Sequence, residues 1–236
     1  MSRTIRTIMA ALVLLSIVAA VGTTLWLGTL VKTAIEQVGS HVTKTNVKLD
    51  NVDISLLRGL VQLERLEVGN PPGFAAPTAI KLGTARVRLD VRSILSETIV
   101  IDEILVEAPD ITFEGFPRSN LSAIQDNVKT VVPDGSSKPA EAAASRPASK
   151  KLLIRSFALS NGRVAASVGG QSLRLGLPNI HLADIGKETG GATPEQVVSA
   201  VFSAITRSAT GAVTDQTKKA GDVVNKAAEN VQKLFK

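Results

Sequence analysis

The sequence predicts an α+β protein, mainly antiparallel β, tied to a membrane by a single amino-terminal helix. Three features of its 236 residues carry that expectation. An uncharged stretch of 25 residues runs from Thr7 to Val31. A two-residue alternation of aliphatic and charged side chains then recurs between Val47 and Ile185, and after Thr193 the apolar period lengthens to that of a helix.

The amino-terminal stretch is the strongest of the three. A bilayer core of about 30 Å needs about 20 helical residues. Arg6 precedes the stretch, Leu14 and Val18 lie within it, Trp26 stands near its far end, and Lys32 closes it. An amphipathic ring prefers the membrane interface, and Arg3 and Arg6 favour a cytoplasmic amino terminus with the rest of the chain across the membrane. Val18-Ala19-Ala20 offers a signal-peptidase site. The apolar run continues past it, however, beyond the roughly 7–15 residues of a cleaved signal. Residues 1–32 therefore read as an uncleaved signal anchor.

From Thr33 to Val42 the helix is expected to continue, with Gly39 as its stop. Residues 33–132 then read as the first half of a curved sheet. In "VKLDNVDISL", Val47 and Leu49 share a face, and Val52, Ile54 and Leu56 follow a shift at Asp50-Asn51. Arg58-Gly59 marks a hairpin junction. In "ARVRLDV", Ala85, Val87, Leu89 and Val91 oppose Arg86, Arg88, Asp90 and Arg92; Ile99, Ile101, Ile104 and Val106 continue the pattern to a break at Pro109. One aliphatic and one charged face per strand is the signature of an antiparallel sheet with one wet side. Ser119–Val131 reads as a helix capped by Ser119 or Asn120, with Leu121, Ile124 and Val128 inward. Residues 133–151, rich in Pro, Ser and Ala, read as a flexible linker.

Residues 152–192 read as the second half of the sheet. Asn161-Gly162 and Gly169-Gly170 are expected to turn hairpins, Leu173, Leu175 and Leu177 alternate inward, and Ile180, Leu182 and Ile185 form the last strand. Residues 193–236 read as amphipathic helices, capped by Thr193 with Pro194 at the first position.

The chain is poor in chemistry. It has no Cys, which removes thiolate nucleophiles and zinc–thiolate sites. His41 and His181 stand alone, with no second metal ligand at useful spacing. No G-x-S-x-G elbow occurs, and Gly169-Gly170 precedes no helix that would cradle phosphate. The net charge of +6 is spread among acids rather than gathered into a stripe, so nucleic acid is not an expected partner. No catalytic residue, metal or cofactor is expected.

"VKLDNVDISLLRGLVQLERLEVGNPPGF", "ARVRLDVRSIL", "IVIDEILVEAPDITFE" and "LLIRSFALSNGRVAAS…LGLPNIHLADIG" resemble the strands of the AsmA-like family of anchored bacterial envelope proteins. The resemblance implies a β-groove with an apolar trough, an inner-membrane location with a periplasmic domain, and a role in handling phospholipid. A domain this short does not bridge a periplasm alone. Two functions follow as expectations. In one, an open face lined by Val87, Leu89, Val91, Ile99, Ile101, Leu173, Leu175 and Leu177 takes acyl chains, with membrane lipids as partners. In the other, the carboxy-terminal helices close that face, and the protein is a structural or assembly subunit among other envelope proteins.

Overall fold

A computed structural model describes residues 26–115, 118–131, 150–168 and 171–234. The predicted anchor positions Arg6, Leu14 and Val18 lie outside the described residues, as does the linker apart from Lys150 and Lys151. The described chain begins with helix α1 (residues 26–43). Strands β1 (Val47–Ser55), β2 (Leu60–Gly69), β3 (Thr78–Leu89), β4 (Thr98–Glu107) and β5 (Asp110–Glu114) follow, then α2 (Asn120–Val131). After the linker come β6 (Lys151–Ser160), β7 (Arg163–Val168), β8 (Gln171–Gly176), β9 (Ile180–Ile185) and α3 (Pro194–Leu234). The expected carboxy-terminal helices are thus one continuous helix. Short 3-10 turns join β1 to β2 (Leu56–Arg58) and β3 to β4 (Val91–Leu95).

All nine strands form one curled, half-barrel sheet. It is mixed, which corrects the mainly antiparallel expectation: β4 pairs with β6, and β5 with β7, in parallel. The cause is the route between β5 and β6. Through α2 and the linker, the chain returns to the end of the sheet where β4 began, placing Lys151 beside Thr98. Such a crossover needs a dozen or more residues, and only this connection has them.

Asn161-Gly162 also departs from expectation. β6 and β7 do not pair with each other; they lie end to end, β6 along β4 and β7 along β5. β9 and β8 likewise lie end to end beside them. The sheet is therefore six long strands, three of which are each two segments lying end to end. The Val168↔Gln171 pairing does bracket the expected turn at Gly169-Gly170.

The interruptions are aligned. In each long strand, two successive residues point outward between inward aliphatic ones: Asp50-Asn51, Glu64-Arg65, Gly83-Thr84, Glu107-Ala108, Ser160-Asn161 and Pro178-Asn179. The ladder pairs on either side, Leu49↔Leu66 and Val52↔Leu63, Leu66↔Leu82 and Leu63↔Ala85, set the first three doublets opposite one another. Val106↔Leu159, Ile111↔Val164, Leu159↔Ile180 and Val164↔Leu175 do the same for the last three. Arg65, Ala108 and Asn161 make the break with left-handed backbone, at φ of 51°, 48° and 56°. Since neighbours break at the same level, ladders resume without a slip. A single-strand bulge bends its strand; six in a row put a crease across the sheet.

A second, shorter crease shows the same rule by contrast. Asp102-Glu103, Arg155-Ser156 and Ala183-Asp184 interrupt β4, β6 and β9 between Ile101↔Ile154↔Ile185 and Ile104↔Phe157↔Leu182. β3 has no matching doublet, and there the register does slip, between Arg88 and Leu89. Ion pairs cover both creases outside: Arg65 to Asp50 and Arg155 to Asp102, each at 2.5 Å. The Arg65 guanidinium holds the exposed Asp50 carboxyl below its ordinary value, chiefly by hydrogen bonding. Exposed pairs of this kind contribute little stability.

Helix α1 seals one edge of the sheet. Lys32, Glu36 and Ser40, spaced four apart on one helical face, meet β1 in turn. Lys32 Nζ donates to the Asp50 carbonyl at 3.1 Å, the Leu49 amide donates to Glu36 Oε1 at 2.8 Å, and the Val47 amide donates to Ser40 Oγ at 3.0 Å. An uncovered edge is a template for aggregation, and these side chains occupy it. The geometry also fixes direction: α1 runs antiparallel to β1.

Ala108 pays a steric cost for its left-handed backbone that Gly would not. Ala108→Gly should raise the unfolding free energy of the detergent-solubilised chain by up to about 1 kcal/mol in a denaturant titration, and Ala108→Val should lower it.

Candidate functional site

Alternation across the creases leaves one continuous aliphatic face on the inside of the curl. Ile80, Ala85, Ile101, Val106, Ile111, Phe113, Ile154, Phe157, Leu159 and Val164 are its buried centre. Helix α2 adds Leu121, Ile124 and Val128, and α3 adds Phe202, Ile205, Ala209 and Val213. A smaller cluster of Leu49, Val52 and Val61 lies under Val31 and Ile35 of α1. Among the described residues the buried polar side chains are Ser, Thr and Asn only. Such a surface can solvate aliphatic chains.

The residues expected to line this face fall into two groups. Val87, Leu89, Ile99 and Ile101 lie toward one end of β3 and β4, with Leu89 paired to Ile101. Leu173, Leu175 and Leu177 lie on or just after β8, opposite β7. Ile101 and Leu177 are buried; Val87, Leu89, Ile99, Leu173 and Leu175 are only half-buried. Val87 and Leu89 touch both apolar clusters and so bridge them. Val91 is not on the face. It opens the 3-10 turn Val91–Leu95 and is exposed, because Asp90 caps that turn by accepting from the Arg92 amide at 3.0 Å.

Helix α3 covers part of the face. Its start is fixed by a reciprocal cap, in which the Gln196 amide donates to Thr193 Oγ1 and the Thr193 amide to Gln196 Oε1. Gln125 Nε2 of α2 donates to Ser203 Oγ, joining the two helices. By length and composition, Pro194–Lys219 is apolar enough to cross a membrane, yet a third of its most apolar window is buried within the molecule. Thr206 Oγ1, buried on α3, meets no hydrogen-bond partner among the described residues.

By sequence, Asn70 reads as a turn residue, Asn120 as an alternative to Ser119 for the cap of α2, and Glu114 has no expected role. The structure joins them at the end of the sheet opposite the two 3-10 turns. Asn120, fully buried, donates to Asn70 Oδ1 at 2.7 Å and to the Thr112 carbonyl at 2.8 Å, and accepts from the Glu114 amide at 2.9 Å. Asn70 donates to the Ala76 carbonyl, and the Glu114 carboxylate accepts from the amides of Ala75 and Ala76. The loop "NPPGFAAP" is thereby fastened to β5 and the start of α2. The only sequence signal is the polar Asn120 beside an apolar helical stripe. His41 and His181 are both exposed, on α1 and on the outer face of β9. Among the described residues no group of three or more His, Asp or Glu is placed to hold a metal.

Removing Asn120 leaves the Glu114 amide and the Thr112 carbonyl unpaired. Asn120→Ala should therefore destabilise the chain by about 1–3 kcal/mol in denaturant titration, while Ser119→Ala, which loses only a helix cap, should cost about 1 kcal/mol.

No curated protein sequence matches this chain. A family model described as the AsmA family matches residues 2–229, taking in the predicted anchor, the creased sheet and nearly all of α3. The chain belongs to the AsmA family, and is an envelope-associated protein on that ground.

Proposed function

We propose that this protein is anchored in the bacterial inner membrane by its amino-terminal helix and handles phospholipid on the periplasmic side, acyl chains lying along the aliphatic face of the creased sheet. The observation that carries the reading is the incomplete cover of that face. With α2 and α3 in place, Val87, Leu89, Ile99, Leu173 and Leu175 remain half-exposed toward both ends of the strands. β4 and β5 together run about 55 Å at 3.3 Å per residue, longer than the roughly 30 Å core of a bilayer. Acyl chains need only apolar walls, and each methylene removed from water contributes about 0.8 kcal/mol. The role is non-catalytic.

In this reading α3 is a cover that acyl chains compete with. The second reading, a closed structural or assembly subunit, is favoured by the deep burial of Phe202, Ile205, Ala209 and Val213 against the sheet.

The two readings separate on Leu173→Asp and Leu89→Asp. Full-length protein purified in mild detergent is expected to carry phospholipid, measured by mass spectrometry of a solvent extract. Both variants should fold with native circular dichroism and retain roughly tenfold less lipid. Loss of folding in both would support the closed subunit, since a charge would then have entered a sealed core. Lipid-free wild-type protein would contradict lipid handling.

A further inference from the structure

The end of the sheet formed by the two 3-10 turns exposes apolar side chains that the fold does not use. Leu57 is 101% exposed and Leu95 92%, with Val91 and Leu56 less so. The turns touch. The Leu89 amide donates to the Gly59 carbonyl at 2.7 Å, and a Cβ at Gly59, whose φ is +59°, would stand 3.0 Å from Val91 Cγ2. These leucines therefore form one patch and are not scattered surface residues, which alone would need no explanation.

The orientation of α1 says what faces the patch. Moving from Ser40 back to Gly28 climbs about 18 Å of helix; moving from Val47 to Val52 advances about 17 Å of strand. The two ends coincide: a Cβ on Gly28 would lie 2.7 Å from the Val52 carbonyl, and Gly28, Thr29, Lys32 and Thr33 line one cleft with residues 50–54. Helix α1 thus points its amino-terminal end, residues 26–31, toward the end of the sheet that carries the turns. Trp26 and Leu30 are exposed on that part of α1, at 66% and 51%.

The charges suit a phospholipid surface. Each turn carries an exposed arginine, Arg58 at the end of the first and Arg92 near the start of the second, and neither forms an ion pair among the described residues. Lys150 reaches the Ile94 carbonyl beside them. Of the nearby acids, Asp90 is engaged in capping, and Glu97 is exposed. Exposed leucines flanked by arginines, with a tryptophan at the same end, fit a layer with headgroups above and acyl chains below.

We infer that the Leu56–Arg58 and Val91–Leu95 turns are a second membrane contact. They seat the sheet's end in the interface of the bilayer that holds the amino-terminal segment, so that the apolar face opens at the lipid surface. This rests on the anchored reading above. The turns dip Leu57 and Leu95 below the headgroups, with Arg58 and Arg92 at phosphate level.

The chain has no native cysteine, so single labels are clean. Full-length protein with Leu57→Cys, Leu95→Cys, Val18→Cys or Ala75→Cys, each spin-labelled, is reconstituted into vesicles of phosphatidylethanolamine with a minor share of phosphatidylglycerol. Power saturation then compares access of lipid-soluble oxygen with that of a water-soluble nickel chelate. Labels at 57 and 95 should shift toward oxygen as the label at 18 does, and the label at 75, on the opposite end of the sheet, toward the chelate. If 57 and 95 match 75 while 18 reads as lipid, the contact is overturned and the anchor stands. If 18 also reads as aqueous, the anchored reading falls and this inference with it.

Discussion

The structure depends on one constraint: every long strand must keep its aliphatic side chains inward across a break in its alternation, and adjacent strands must break at the same level. A lone break would turn half of a strand's apolar residues into solvent. Here Arg65, Ala108 and Asn161 rotate their strands in register with Asp50, Gly83 and Pro178, and the inward sets Leu63/Leu66, Val106/Ile111 and Leu159/Val164 stay on one face. The slip between Arg88 and Leu89 marks the place where a neighbour lacks the matching doublet. Curl, continuous apolar face and solvent-facing charge pairs all follow from this alignment.

The helices then divide the edges and the face among themselves. Helix α1 satisfies the backbone of edge strand β1 with Lys32, Glu36 and Ser40, and in doing so sets the direction of the sheet relative to the amino-terminal segment. Helices α2 and α3 cover the inner face, held together through Gln125 and Ser203 and tied to the far end through Asn120. What remains half-covered is a set of aliphatic walls with no titratable group among them.

Much of this was legible in the sequence. The one-sided alternation of Val87, Leu89, Leu173 and Leu175, a cap at Ser119 or Asn120, the Thr193 cap and the uncharged amino-terminal stretch all act locally, so composition and spacing reveal them. The shift at Asp50-Asn51 was visible too, but its alignment with five other doublets was not, because register is a property of neighbouring strands. Asn161-Gly162 misled for a physical reason: Asn tolerates left-handed backbone, which serves a hairpin turn and an in-line break equally well. Ala108 carries no such preference and gave no signal. The parallel pairing of β4 with β6 depends on where the linker returns the chain, and the Asn70–Asn120 bond joins residues 50 apart.

If acyl chains reach the inner face of the sheet, a fluorophore placed there will meet them. Trp26 is the one tryptophan in the chain, so Trp26→Phe combined with Leu173→Trp places a single fluorophore on that face. In vesicles containing phospholipid brominated along its acyl chains, the account predicts quenching of that tryptophan, and none for Arg174→Trp on the outer face one residue away. Equal emission from both positions, unaffected by bromine, would contradict it.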